Sequence, residues 1–243
     1  MRTLGASHPG RVRASNQDAY LCGKLAENVA FVVVCDGMGG ANGGNVASSI
    51  AMRTIAERLV EDYRESATPE AVRELLESAV MEANGAVYRA AREEPELYGM
   101  GTTAVAAIAT NDAVYIAYVG DSRAYIIKPR EIEQVTKDHS VVQDMVDKGQ
   151  ITAEEAKTHP QKHFLTRALG VEPDLECAFT RISFPDNATF LVCTDGLSNL
   201  VPAEMIESLV RTFAIQDIPM KLITTANLAG GSDNITVVAV TKN

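Results

Sequence analysis

The stretch Ala30-Phe31-Val32-Val33-Val34-Cys35-Asp36-Gly37-Met38-Gly39-Gly40 ends an apolar run on a carboxylate followed by glycines. Apolar positions without alternation read as a strand buried on both faces. Asp36 is therefore expected where a rigid strand leaves the core. The same arrangement returns in Phe190-Leu191-Val192-Cys193-Thr194-Asp195-Gly196. Asp-Gly after a strand also reads as a tight hairpin turn. Neither copy leads into a second strand, however: helical periodicity runs from Asn45 after the first and from Pro202 after the second. A strand that delivers a carboxylate and then gives way to a helix is a common way to build a site.

The chain of 243 residues is 46% hydrophobic, enough for a sizeable core in one large domain or two small ones. With 22 basic and 32 acidic residues and a net charge of −10, it argues against nucleic acid as a partner, and no basic cluster contradicts this. Cys22, Cys35, Cys177 and Cys193 show no CxxC spacing, and two of them lie inside apolar strands, which fits buried thiols in a reducing compartment. The N-terminus has no apolar signal core and no run is long enough to span a bilayer, so the expectation is a soluble, cytoplasmic monomer.

Residues 1–36 read as short extended segments ending in the buried strand. Between them, Arg13-Ala14-Ser15-Asn16-Gln17-Asp18 is polar but hemmed in by apolar neighbours. From Asn45 to about Tyr63, Ala47, Ala51, Ile55 and Leu59 share one helical face. A second helix starts at Thr68-Pro69-Glu70, an N-cap with proline at the first helical position, and stops near Pro95. Residues 101–110, 113–119, 122–128 and 131–135 read as an antiparallel meander. Residues 136–174 change character, with two short helices opened by capping-box patterns at Ser140-Val141-Val142-Gln143 and Thr152-Ala153-Glu154-Glu155. Strands follow near 175–182 and 187–193, helices near 202–212 and 216–228, and a last strand at 235–240. Grouped strands and paired helices without βαβ alternation predict an α+β domain, a four-layer α-β-β-α sandwich of two antiparallel sheets, each covered by a helix pair.

Asp36, Asp195 and Asp233 of Gly230-Gly231-Ser232-Asp233-Asn234 all fall at strand ends or in tight turns, and Asp18 makes a fourth carboxylate. Clustered carboxylates repel one another unless they bind hard cations, and Mg²⁺ and Mn²⁺ prefer such oxygen ligands plus retained waters. Two ions about 4 Å apart lower the pKa of a shared water and clamp a phosphoryl group. Arg13 nearby would complete a phosphate site.

With these residues in view, the sequence resembles the metal-dependent protein phosphatases, the protein phosphatase 2C family, in its compact bacterial form. The resemblance lies in Arg13 to Asp18, Val34 to Gly40, Gly101-Thr102-Thr103, Val119-Gly120-Asp121-Ser122-Arg123, Thr136-Lys137-Asp138-His139-Ser140, Leu165-Thr166-Arg167-Ala168-Leu169-Gly170, Thr194-Asp195-Gly196-Leu197 and Ser232-Asp233-Asn234-Ile235-Thr236. These occur in the family's order and cover nearly the whole chain.

The resemblance implies a single catalytic domain over residues 1–243, with a flap at about 136–170 beside a cleft holding two Mn²⁺ or Mg²⁺ ions. Asp36 would bridge both ions, the carbonyl of Gly37 would hold one, and Asp195 and Asp233 the other. Asp18 would orient a metal-bound water, with Gln17 and Asn234 supporting the site from behind, and Arg13 would grip the phosphate. The implied reaction is hydrolysis of phosphoserine and phosphothreonine proteins by in-line attack of a metal-bridged hydroxide, without a phosphoenzyme. Its partners would be phosphorylated proteins, among them a Ser/Thr kinase that it reverses.

Two positions depart from the family pattern. Gln17 stands where many members carry Glu, which removes one charge behind the metals. Met38 stands where eukaryotic members carry a histidine proposed as general acid, so the leaving-group proton is expected from a metal-bound water. Asp121 reads two ways. Locally, Gly120-Asp121 between two short strands is hairpin chemistry, whereas the resemblance implies a third, weaker ion held by Asp121 together with Asp233.

Other signals fall short. The glycines from Gly37 to Gly44 miss the dinucleotide spacing at Asn42, and His159 and His163 have zinc-pair spacing but enclose Pro160. No GxSxG elbow is present. Two further readings stay open beside the phosphatase: a catalytically weak phosphatase-like binding or regulatory module, and a two-metal phosphohydrolase of small phosphate esters.

Overall fold

A computed structural model describes residues 1–242, apart from the side chains of Ala41 and Asn42; Asn243, the last residue of the expected domain, lies outside the described residues. Its strands form two antiparallel sheets. One has the order β1 (Arg2–His8), β11 (Ile235–Thr241), β10 (Thr189–Cys193), β7 (Arg123–Lys128), β8 (Glu131–Gln134). The other runs β2 (Asp18–Ala26), β3 (Val29–Met38), β5 (Ala104–Ala109), β6 (Ala113–Val119), β9 (Ala178–Ser183), with the two-residue β4 (Gly101–Thr102) paired to the end of β3.

The missing alternation in the apolar runs is now explained by burial on both sides. In β3, Val32 and Val34 face the opposite sheet while Phe31, Val33 and Cys35 pack beneath α1 (Gly40–Asp62) and α2 (Pro69–Glu93). In β10, Phe190 and Val192 enter the inter-sheet core, whereas Leu191 and Cys193 join Ile206 of α6 (Ala203–Thr212) and Leu222 of α7 (Ile218–Leu228). Each such buried side chain contributes about 1.5–3 kcal/mol of transfer free energy, so both strands are pinned along their length. The α-β-β-α sandwich is as the sequence predicts.

Thr68 caps α2 by accepting a hydrogen bond at Oγ1 from the Ala71 N–H (3.3 Å). In the 136–170 segment, α4 (Ala153–Thr158) has the full reciprocal capping box of Thr152 and Glu155. The box at α3 (Val141–Asp147) is only half made, because the side chain of Gln143 turns to Asp147 instead of back to Ser140.

Two expectations are corrected. The first helix begins at Gly40 rather than Asn45, because glycines that weaken helical periodicity nevertheless form its first turn. The expected meander is in fact two hairpins in different sheets: β5 pairs with β6 and β7 with β8, but β6 and β7 do not pair. Gly120-Asp121-Ser122 is therefore a crossover from one sheet to the other.

This topology gathers the carboxylates. Asp18 at the start of β2 is in register with Asp36 near the end of β3. Cys193 at the end of β10 faces both Val237 near the start of β11 and Arg123 at the start of β7. Asp195, Asp233 and Asp121 thus leave one sheet at the end where β6 passes over from the other.

Candidate active site

Asp18, Asp36, Asp121, Asp195 and Asp233 are all half-buried at this end of the sandwich. Asp36 is the hub. Burial pushes its carboxyl well above the ordinary range, and the charges of Asp18, Asp195, Asp121 and Asp233 push it further. Asp195 opens the single helical turn α5 (Asp195–Ser198) and accepts a hydrogen bond from Asn199 Nδ2 (2.9 Å). Burial and then Asp233 raise its pKa; the charge of His163 and a hydrogen bond with Asp36 pull it down.

Asp18 is anchored by two threonines. Its Oδ2 accepts hydrogen bonds from Thr236 Oγ1 (2.7 Å) and Thr194 Oγ1 (3.0 Å), while Oδ1 is buried and makes no hydrogen bond within the protein. Burial raises its pKa to about 7, against the lowering effect of the two threonine hydroxyls. Thr194 and Thr236 are functional positions that the sequence reading does not single out. Their signal was a hydroxyl beside each site strand in an otherwise apolar run.

Asn234 uses its whole side-chain amide to hold the loop that carries Arg13. Its Nδ2 donates to the carbonyls of Pro9 and Ser15 (2.9 Å each), and its Oδ1 accepts from the Gln17 N–H (2.8 Å). Arg13 Nη2 in turn donates to Asp233 Oδ2 at 2.8 Å, and over half of the Arg13 side chain is exposed. That bond and the charge of Asp233 raise the Arg13 pKa, with Asp195 and Asp36 adding to the effect. Gln17 reaches the Gly40 carbonyl through Nε2 (2.9 Å), and its own carbonyl accepts from the Gly37 N–H (3.1 Å). A Cβ on Gly37 would collide with the backbone of Gly44 and Gln17, so only glycine lets α1 approach the end of β3 this closely.

Asp121 also belongs to this end, on the side of Asp195. Its carboxyl is raised to about 8 by burial and then by Asp195 and Asp138. Asp195, rather than Asp233, is therefore the site carboxylate that presses on it most. Asp121 and Asp195 line a cavity of about 470 Å³ together with Val142, Val146, Lys157 and Lys162 of the 136–170 segment.

The carboxylates gather without closing on a point: among the described residues, no three His, Cys, Asp or Glu side chains converge as a ready cage for an ion. The donor set nevertheless suits hard divalent cations. The acidic donors are all carboxylate oxygens, they repel one another, and one buried oxygen, Asp18 Oδ1, has no partner in the protein.

The raised pKa values predict how stability responds to pH in protein stripped of divalent ions. A carboxyl with a raised folded pKa favours folding fully below its unfolded pKa, and that contribution is lost as pH rises through the folded value. For Asp18 and Asp121 the window runs from 3.8 to about 7 and about 8. The melting temperature of the stripped protein is expected to fall across this window, and the gain on adding Mn²⁺ to be larger at its upper end. A melting temperature that climbed steadily with pH across it would contradict the electrostatics described here.

The model of the family described as protein phosphatase 2C matches residues 4–220. The chain belongs to the protein phosphatase 2C family. This phosphatase 2C domain is 40% identical over 235 residues to the serine/threonine phosphatase stp of Listeria monocytogenes, covering 96% of this chain and 93% of that protein. It superposes on the serine/threonine phosphatase Stp1 from Staphylococcus aureus with a TM-score of 0.92 at 33% identity, covering 98% of this chain and 93% of the other. On the catalytic domain of the serine threonine protein phosphatase PstP in complex with two manganese ions the TM-score is 0.86, at 33% identity and coverage of 98% and 96%. The phosphatase 2C domain contains no helix long and apolar enough to cross a membrane among the described residues.

Proposed function

We propose that the carboxylate end of the sandwich is the site at which this protein phosphatase hydrolyses phosphoserine and phosphothreonine proteins, a Ser/Thr kinase among them. The observation that carries the reading is Asp36, a half-buried carboxylate pressed on by four others beside an exposed arginine. Such a cluster is costly to fold, and a binding module has no use for it.

Asp36, the Gly37 carbonyl, Asp195 and Asp233 would hold two Mn²⁺ or Mg²⁺ ions, with Asp121 and Asp195 the pair for a weaker third. When bound, such ions supply Lewis acidity and a nucleophilic water at neutral pH. The chain's own residues do the rest. Thr194 and Thr236 aim Asp18 so that Oδ1 can accept a proton or a hydrogen bond from that water. Asn234 fixes the Arg13 loop, and the exposed guanidinium meets the phosphate as a planar fork. Met38 carries no titratable group, so the leaving oxygen takes its proton from solvent held at the site. Residues 136–170 serve as the flap of a single catalytic domain. The cytoplasm is the compartment we propose, and four unpaired cysteines are consistent with a reducing one.

Phosphate release from a phosphothreonine peptide and from a small phosphate ester, by wild type and Arg13→Ala, tests the reading. Wild type is expected to prefer the peptide. Arg13→Ala should raise KM for the peptide by about 10-fold or more, the worth of a charge-assisted hydrogen bond. Equal use of both substrates would favour a small-ester hydrolase, and unchanged kinetics would remove Arg13 from the site.

A further inference from the structure

Thr102-Thr103, the residues flanking Asp121, and Asp138-His139 lie outside the carboxylate cluster. The structure draws them together around the crossover between the sheets. Gly120 is clasped at both of its backbone groups by one residue: its N–H donates to His139 Nδ1 (3.1 Å), and its carbonyl accepts from the His139 N–H (2.9 Å). Because Nδ1 accepts, the ring proton sits on Nε2. The same ring stacks on Tyr118, two residues before Gly120, with centroids 5.3 Å apart and planes 7° from parallel.

The far side of the crossover is held as well. Arg123 forks onto Asp138 through Nε (3.0 Å) and Nη2 (2.7 Å). The Ser122 hydroxyl bonds to Thr103 Oγ1 (2.8 Å), which also accepts from the Asp36 N–H (3.0 Å). The Thr103 N–H donates to the Asp36 carbonyl (2.9 Å), so the crossover is tied directly to the hub of the site. Gly120 takes φ 102°, and a Cβ there would strike Thr103, so glycine alone fits the close approach. Both flanks of Asp121 are thus fixed, and Asp121 itself lines the cavity shared with Asp195.

We propose that His139 is a positioning residue for the phosphatase reaction: by clasping Gly120 it sets where Asp121 stands relative to Asp195 and Asp36. The proposal rests on the reading of Asp121 as part of the site. The contact that matters is an acceptor at the Nδ1 position, since a side chain without one leaves the Gly120 N–H unpaired and the crossover free to shift.

The test compares kcat and KM on a phosphothreonine peptide for His139→Asn, His139→Gln, His139→Ala, Asp121→Ala and the double variant His139→Ala/Asp121→Ala, with melting temperatures and Mn²⁺ stoichiometry by calorimetry. Asparagine can place its oxygen where Nδ1 stood, whereas glutamine places it where Nε2 stood. His139→Asn is therefore expected to keep most of kcat, while His139→Gln and His139→Ala lose roughly 10- to 100-fold in kcat with KM little changed, the scale of an ångström-level misplacement. The tightly bound ions should number the same in all of them. The double variant should be no slower than Asp121→Ala, because His139 acts through Asp121. A slow Asp121→Ala beside fully active His139→Gln and His139→Ala variants overturns the positioning role alone. Multiplying losses in the double variant overturn it too, and a fully active Asp121→Ala overturns the reading of Asp121 with it.

Discussion

Asp36→Asn is expected to lower kcat on phosphopeptides by about three orders of magnitude, with little change in the fold. Asp36 feels the charges of Asp18, Asp195, Asp121 and Asp233, which makes it the carboxylate proposed to bridge a pair of ions bound here. Asparagine keeps the shape and removes the charge, which takes away a ligand without opening a cavity. The backbone of Asp36 is held by Thr102 and Thr103, through bonds that do not involve its carboxylate. In protein stripped of divalent ions the variant should therefore melt at or above the wild-type temperature, because the buried carboxyl it replaces is one the fold holds at a cost. Activity lost while stability is kept separates a functional carboxylate from a structural one. Asp195→Asn should behave alike in turnover. Near wild-type kcat in either variant at saturating metal would show that the cluster is not the catalytic centre.

The strands that carry the site were readable because burial on both faces leaves a mark that hairpin strands lack: Ala30 to Cys35 and Phe190 to Cys193 are apolar without interruption, and each ends near an aspartate. The crossover at Gly120-Asp121 was not readable. A tight glycine-containing link has the same composition whether it closes a hairpin or steps between sheets, and only the pairing of β7 with β10 decides between them. For the same reason the cavity that Asp121 shares with Asp195 was not foreseen, since it follows from that pairing. The supporting hydroxyls of Thr194, Thr236, Thr103 and Ser122 were also missed as functional groups. Each is a small polar residue at a strand end, and its role depends on a contact with a residue far away in the chain.

Removing divalent ions is expected to abolish phosphatase activity and to lower stability together. Half-buried carboxylates raised by burial and by one another have no internal cation able to neutralise all of them: Arg13 reaches Asp233 alone, and Arg123 is forked onto Asp138. Ions at a concentration 100 times their dissociation constant would add about 2.7 kcal/mol per site to the stability of the fold. The most direct test is phosphate release from a phosphothreonine peptide by protein dialysed against EDTA, followed before and after addition of Mn²⁺. The dialysed protein should be inactive and regain its full rate when Mn²⁺ is added; an undiminished rate in the continued presence of chelator would contradict the assignment of these carboxylates as a metal site.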